Sequence, residues 1–292
     1  MAMSRVGQVV AERYRLDRLI DRGGQSEVYH ARDLVDGDEV AVKVLTSVGK
    51  QDPELRERML REAHALANLG RSAAVCVVDQ GFAPDGALCM VMELLHGANF
   101  ENYLYWIERA GMRLPVPELL RLMAPIVDTL DRAHAMGIVH RDLKPKNVFV
   151  VDSDHGGGVR LLDFGFAKFL RMRSVTGQGM IAGSPSYIPP ESWLGHAASL
   201  DHRADVYSLA AVMFRALSGR PPFIGRDLRE LLVLATTAPR PSLRALRTDL
   251  PEAVDDWVAQ ALAIERDERF NSVKALFQAF RFACGDLGST SP

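Results

Sequence analysis

Short alternating apolar runs fill the first third of the chain and give way, beyond about residue 119, to apolar residues at helical spacing. That change of period confines the chain to a strand-rich part followed by a helical part. Tyr14 to Ile20 and Glu27 to Arg32 flank a glycine-containing turn, and Glu39-Val40-Ala41-Val42-Lys43-Val44-Leu45 follows the turn signal Asp36-Gly37-Asp38. One helix interrupts these strands. Asp52 caps it, Pro53 takes its first position, and Leu55, Met59 and Leu66 share one side. Runs around Cys76 to Val78 and Leu88 to Leu95 complete a small sheet. Leu119 to Met136, Asp205 to Leu217, Glu252 to Ile264 and Ser272 to Phe282 predict helices. The expected class is α+β: a small β-rich N-terminal lobe with one main helix over 12–95, and a larger, mostly helical lobe over 96–283. The lobes join near Leu95 to Ala98, where Gly97 breaks the pattern, and 284–292 is expected to be a flexible tail.

With 292 residues, 48% of them hydrophobic, the chain can fill a core in each of two lobes. Lys+Arg of 35 against Asp+Glu of 37 leaves a formal charge of -2, so no global basic field points to nucleic acid as a partner. Cys76, Cys89 and Cys284 follow no paired or metal-ligand spacing, which suits a reducing compartment. No apolar run approaches the roughly 20 residues of a membrane span, and Met1-Ala2-Met3-Ser4-Arg5 does not open a signal-peptide pattern. A cytoplasmic location is expected.

Chemistry concentrates in His140-Arg141-Asp142-Leu143-Lys144-Pro145-Lys146-Asn147, followed by Asp163-Phe164-Gly165. Two carboxylates, an amide and a lysine in this order can converge on a metal-bound phosphate. Asp142 can accept a hydroxyl proton, Asn147 and Asp163 offer hard oxygens to Mg²⁺, and Lys144 can neutralise charge on a transferred phosphoryl group. These residues and their spacing resemble the catalytic and metal-binding loops of the eukaryotic-like (Hanks-type) Ser/Thr protein kinases, with short linkers similar to the bacterial members. The resemblance spans about residues 12 to 283 and implies the bilobal protein kinase fold.

Several further residues acquire roles through that resemblance. Val40-Ala41-Val42-Lys43 and Glu62 look like the family's lysine and glutamate pair, which holds the α- and β-phosphates of ATP. Helix periodicity alone leaves Glu62 an equally good place at the solvent edge of its stripe. Asp21-Arg22-Gly23-Gly24-Gln25-Ser26-Glu27-Val28 takes the position of the Gly-rich loop, with Asp21 and Ser26 replacing its first and third glycines. By itself a Gly-Gly turn is an ordinary hairpin. Met92-Glu93-Leu94-Leu95 resembles the hinge, where main-chain groups of Glu93 and Leu95 meet the adenine, with Met92 at the pocket wall, Val28 and Ala41 above the ring and Phe149 below. Gly183-Ser184-Pro185-Ser186-Tyr187-Ile188-Pro189-Pro190-Glu191 resembles the end of an activation segment, in which Ser184 contacts Asp142 and Lys144 and Glu191 pairs with Arg269. Phosphate on Ser174 or Thr176 can pair with Arg141, although both hydroxyls can equally be unmodified surface groups. Asp205 reads as a helix N-cap that in this family also braces the catalytic loop.

The implied function is transfer of the ATP γ-phosphate, with Mg²⁺, to Ser or Thr hydroxyls of proteins, including autophosphorylation of the activation segment and the self-association this requires. The alternative is a pseudokinase, a nucleotide-binding or scaffold module, which the altered glycine loop would favour. Against it, Lys43, Glu62, Asp142, Asn147 and Asp163 are all present.

Overall fold

The computed structural model describes residues 5–23, 26–46, 53, 57, 59, 60, 63, 66, 67, 69, 70, 72–164, 185–193 and 201–285. The chain divides into two compact units, residues 1–70 with 74–96, and residues 71–73 with 97–292.

The first unit is built on a six-stranded antiparallel sheet in the order β1-β2-β3-β4-β6-β5. Its strands are β1 Val9–Val10, β2 Tyr14–Arg22, β3 Ser26–Asp33, β4 Glu39–Leu45, β5 Val77–Phe82 and β6 Leu88–Glu93. Alternation sends Tyr29, Ala31, Val40, Val42, Val44, Cys89 and Val91 to one face, where they pack with Val10, Tyr14 and Leu16 as a buried core. Among the described residues of 53–69, all of those between 53 and 69 are helical, and Met59, Ala63, Leu66 and Leu69 are buried as one stripe. Leu55 and Glu62 lie outside the described residues.

The described residues of the second unit carry a small antiparallel sheet, β7 Gly97–Asn99, β8 Val148–Val151 and β9 Val159–Leu161, and a set of helices. These are α1 Phe100–Arg109, α2 Val116–Ala135, α3 Pro190–Trp193, α4 Arg203–Ser218, α5 Leu228–Thr237, α6 Ala253–Ala261 and α7 Val273–Cys284. Fourteen of the sixteen residues of α4 are buried, so it forms the axis of this core. Asp205 does not cap it, contrary to the sequence expectation. The helix begins two residues earlier, with Asp201 accepting the Arg203 N–H at 2.8 Å, and the freed Asp205 carboxylate turns to other partners. Helices α1 and α5 escaped the sequence reading, and side chains of Asn99 and Asp227 cap them by accepting the N–H groups of Asn102 and Glu230. Gly97 opens β7 at φ +138°, where a Cβ would lie 2.2 Å from the Val150 carbonyl oxygen, so only glycine permits that pairing.

No helix among the described residues is long and apolar enough to cross a membrane.

Candidate active site

Of the candidate residues, one set lies in each unit. In the second unit the chain passes from α2 through an extended segment into a 3₁₀ turn at Pro145–Asn147, and from there into β8. Within that loop Lys144 Nζ lies 2.8 Å from Asp142 Oδ2. Asn147 Nδ2 donates to the Asp142 carbonyl at 2.8 Å and to Asp142 Oδ2 at 3.1 Å. One oxygen of the Asp142 carboxylate, Oδ2, is thereby held by both a cation and an amide. Because Asn147 commits its nitrogen inward, its Oδ1 is the atom left to serve as a ligand.

The segment bearing Asp163 is tied to the same loop. Leu162 N–H donates to the Asn147 carbonyl at 2.8 Å, and His140 Nε2–H donates to the Leu162 carbonyl at 3.0 Å. Phe164 is fully buried, its ring centroid 4.7 Å from that of His140. Arg141 and Asp163 hold φ of +65° and +49°, the left-handed region that non-glycine residues occupy only when their surroundings dictate it. Strain sits on the two backbone positions that flank the candidate chemistry.

Asp205 supplies the restraint. Its Oδ1 accepts the Arg141 N–H at 2.8 Å, and its Oδ2 accepts the His140 N–H at 2.8 Å and the His134 Nε2–H at 2.7 Å. Complete burial alone would push this carboxyl up, but the His134 bond, the nearby imidazoles and the backbone N–H of Arg141 outweigh it and hold the group below the usual carboxylate range. Burial, opposed by Asp205, draws the Arg141 guanidinium below its ordinary value. His134 was not singled out in the sequence. Its only signal there is a place on the last turn of α2, six residues before His140, and its partner is 71 residues away.

In the first unit, strand register groups the candidate nucleotide residues. Val28 stands opposite Lys43, and Ala41 opposite Met92. Directly opposed residues of antiparallel strands share a face, so these four line the side of the sheet away from the Tyr29 and Val42 core. Glu93 accepts the Cys76 N–H on Oε1 at 2.8 Å and donates its own N–H to the Cys76 carbonyl at 2.9 Å. Its side chain is spent on the sheet, which suits recognition by main-chain groups at Glu93 and Leu95. The β2–β3 hairpin closes with Gly23 N–H donating to the Ser26 carbonyl at 2.9 Å, and Asp21 Oδ1 accepts the Arg22 N–H at 2.8 Å. Phe149 lies on β8 of the second unit, opposite Asn99 and Arg160. Gly24, Glu62, Ser174, Thr176 and Ser184 lie outside the described residues. Glu191 and Arg269 meet as a bidentate pair at 2.8 and 2.7 Å, with the Arg269 side chain fully buried.

A strand-rich unit followed by a helical one, with Asp142, Lys144 and Asn147 interlocked beside Asp163, defines the protein kinase class. The family model described as "Protein kinase domain" matches residues 14–280. Serine/threonine-protein kinase PknH of Mycobacterium bovis is 34% identical over 283 residues, 97% of this chain and 46% of that protein. PknA of Mycobacterium tuberculosis is 38% identical over 272 residues, 92% of this chain and 60% of that protein. The crystal structure of the Mycobacterium tuberculosis PknI kinase domain superposes with a TM-score of 0.74 at 30% identity, covering 97% of this chain and all of that one. The chain belongs to the protein kinase domain family, among the bacterial Hanks-type serine/threonine kinases, and has their bilobal fold. It spans about half the length of the PknH proteins it matches. Membership implies the use of ATP and a divalent metal ion.

Proposed function

We propose that the chain is cytoplasmic and transfers the γ-phosphate of ATP, complexed with Mg²⁺, to Ser or Thr hydroxyls of proteins, including its own activation segment through transient self-association. The single observation that carries this reading is the locked trio of Asp142, Lys144 and Asn147, whose distances are those of hydrogen-bonded groups prepared in advance of substrate. The alternative is a pseudokinase, a nucleotide-binding or scaffold module. The relatives, each named a serine/threonine-protein kinase, give that alternative no support.

In this reading Asp142 receives the substrate hydroxyl and aligns its oxygen, taking the proton as the new O–P bond forms and the bond from the γ-phosphorus to the β,γ-bridging oxygen breaks, with ADP as the leaving group. Lys144 offsets the negative charge that collects between Asp142 and the phosphoryl group. Asn147 and Asp163 are hard oxygen donors of the kind Mg²⁺ accepts, and they would hold the ion, which when bound neutralises phosphate charge. Lys43, paired with Glu62, binds the α- and β-phosphates, while Gly23 and Gly24 bring backbone N–H groups close to them. Val28, Ala41 and Met92 pack against the adenine, and main-chain groups of Glu93 and Leu95 recognise it. Phosphate on Ser174 or Thr176 pairs with Arg141, and Ser184 contacts Asp142 and Lys144.

Transfer of labelled γ-phosphate to the chain itself and to a generic protein tests the reading, with Asp142→Asn as the comparison. The parent is expected to label Ser and Thr, and the variant to lose at least about a hundredfold in kcat. Equal labelling by both would remove Asp142 from its role.

A further inference from the structure

We infer that an N-terminal strap, residues 5–11, positions the hairpin tip proposed above to cover the nucleotide phosphates, and that it does so through Arg5 and Glu27. The inference rests on that nucleotide-binding reading of the tip. The family match begins at residue 14, so the strap lies outside it.

The strap is built into the first unit. Gly7 N–H donates to the Leu16 carbonyl at 2.7 Å, Leu16 N–H to the Gln8 carbonyl at 2.9 Å, and Ala11 N–H to the Phe82 carbonyl at 2.8 Å. Val10 is fully buried in the sheet's core. Where the strap crosses β5, Gly81 has no room for a side chain, since its Cβ would stand 2.5 Å from that of Ala11. The turn into β2 places Ala11 and Glu12 at φ +48° and +56°, positions that hairpins usually give to Asn or Gly. Such strain persists only where surrounding contacts over-determine it.

This anchoring delivers a buried guanidinium to one spot. Arg5, 9% exposed, donates from both terminal nitrogens to Asp85 at 3.1 and 3.0 Å, in the β5–β6 turn. Its Nε lies 4.0 Å from Glu27 Oε2. Glu27, 8% exposed, directly follows Ser26, whose carbonyl accepts the Gly23 N–H, and stands opposite Arg22. Its Oε1 lies 2.9 Å from Arg22 Nε, and its Oε2 accepts the Tyr29 hydroxyl at 2.7 Å. The carboxylate thus clamps both strands of the hairpin at the base of its tip, while its neighbour Val28 faces the nucleotide side. A carboxylate buried this far requires compensation. Arg22 is largely exposed, so of the two cations beside Glu27 it is Arg5 that is sheltered. Without it Glu27 shifts towards solvent, its hold on Arg22 loosens, and nucleotide binding must restore the pairing of the ends of β2 and β3.

The test uses the full chain as parent, Arg5→Ala, Arg5→Lys, Glu27→Gln and the Arg5→Ala/Glu27→Gln double variant. Affinity for ADP with Mg²⁺ is measured by calorimetry, beside KM for ATP, kcat and the thermal midpoint. Arg5→Ala should raise both the ADP Kd and the ATP KM about three- to tenfold with kcat within about twofold. Arg5→Lys should recover part of this loss, and the double variant should be no weaker than the weaker single one. A lowered midpoint with unchanged ADP affinity in Arg5→Ala, or additive losses in the double variant, would overturn the positioning role alone. A parent that binds no ADP would overturn the nucleotide reading and the strap's role together.

Discussion

His140 is held as a packed structural residue by its bonds. It stands two residues before the candidate catalytic Asp142, and both ring nitrogens are occupied: Nε2–H donates to the Leu162 carbonyl, and Nδ1 accepts the Asp142 N–H at 3.3 Å. Burial is the main reason its pKa falls below 6.5, against the pull of Asp205 and Asp142. Protonation would also turn Nδ1–H against the Asp142 N–H. The unfolded chain therefore takes up this proton at higher pH than the fold does. Stability should decline as pH drops below 6.5 towards the folded-state pKa, and be regained as pH rises. Melting curves between pH 7.5 and 5 should show that decline in the parent. In His140→Leu the midpoint should be lower at pH 7.5, by the loss of about 1–3 kcal/mol from unpaired polar groups, with a flatter pH dependence. An unchanged slope in the variant would assign the acid sensitivity to other groups.

At the scale of elements, the bonds that join segments are the ones the sequence left obscure. Strand β7 meets β8 only because Gly97 has no Cβ, so Gly97→Ala should cost about 1–3 kcal/mol for the backbone conformation alone, with the Val150 contact in addition. Urea denaturation would check this through a lower midpoint at unchanged slope. Arg269 joins three elements. Besides Glu191, it donates to the carbonyls of Ala263 at 2.8 Å and Ile264 at 3.0 Å, and its guanidinium lies over the Tyr207 ring at 5.0 Å. Removing one partner of a buried pair strands the other, so Arg269→Ala should cost about 3–5 kcal/mol. A lysine cannot reproduce the fork, and Arg269→Lys should recover less than half of that loss in the same titration. Full recovery would mean that charge alone matters at this position. Helix α1 is fastened similarly, through Glu108 paired with Arg215 of α4. That link spans 107 residues, and local periodicity contains no trace of it.

For the whole molecule, ligand binding should report the proposed metal site without any turnover. A non-hydrolysable ATP analogue with Mg²⁺ at a hundred times its Kd should stabilise the chain by about 2.7 kcal/mol, seen as a raised melting midpoint. EDTA should remove most of that increment in the parent. Asp163→Asn should keep the metal-free part and lose the part that depends on Mg²⁺; equal metal dependence in both proteins would exclude Asp163 as a ligand. The composition and periodicity of the chain already determined a strand-rich part followed by a helical one, because alternation and helical spacing are local consequences of which residues are apolar. The motif from His140 to Asn147 was equally legible, since its chemistry is packed into eight consecutive residues. Helices α1 and α5 were less so, because their capped starts are brief and their apolar faces short. What only the tertiary structure decided lies between residues distant in sequence. Asp205 gives up the expected cap but braces the catalytic loop through His140 and Arg141 as the resemblance implied, and the fold adds His134 to it; Asn147 commits its nitrogen to Asp142, and Arg5 reaches Glu27 from outside the residues that the family model matches. Hydrogen-bond and ion-pair geometry depends on three-dimensional proximity, and the order of residues along a chain does not encode it locally.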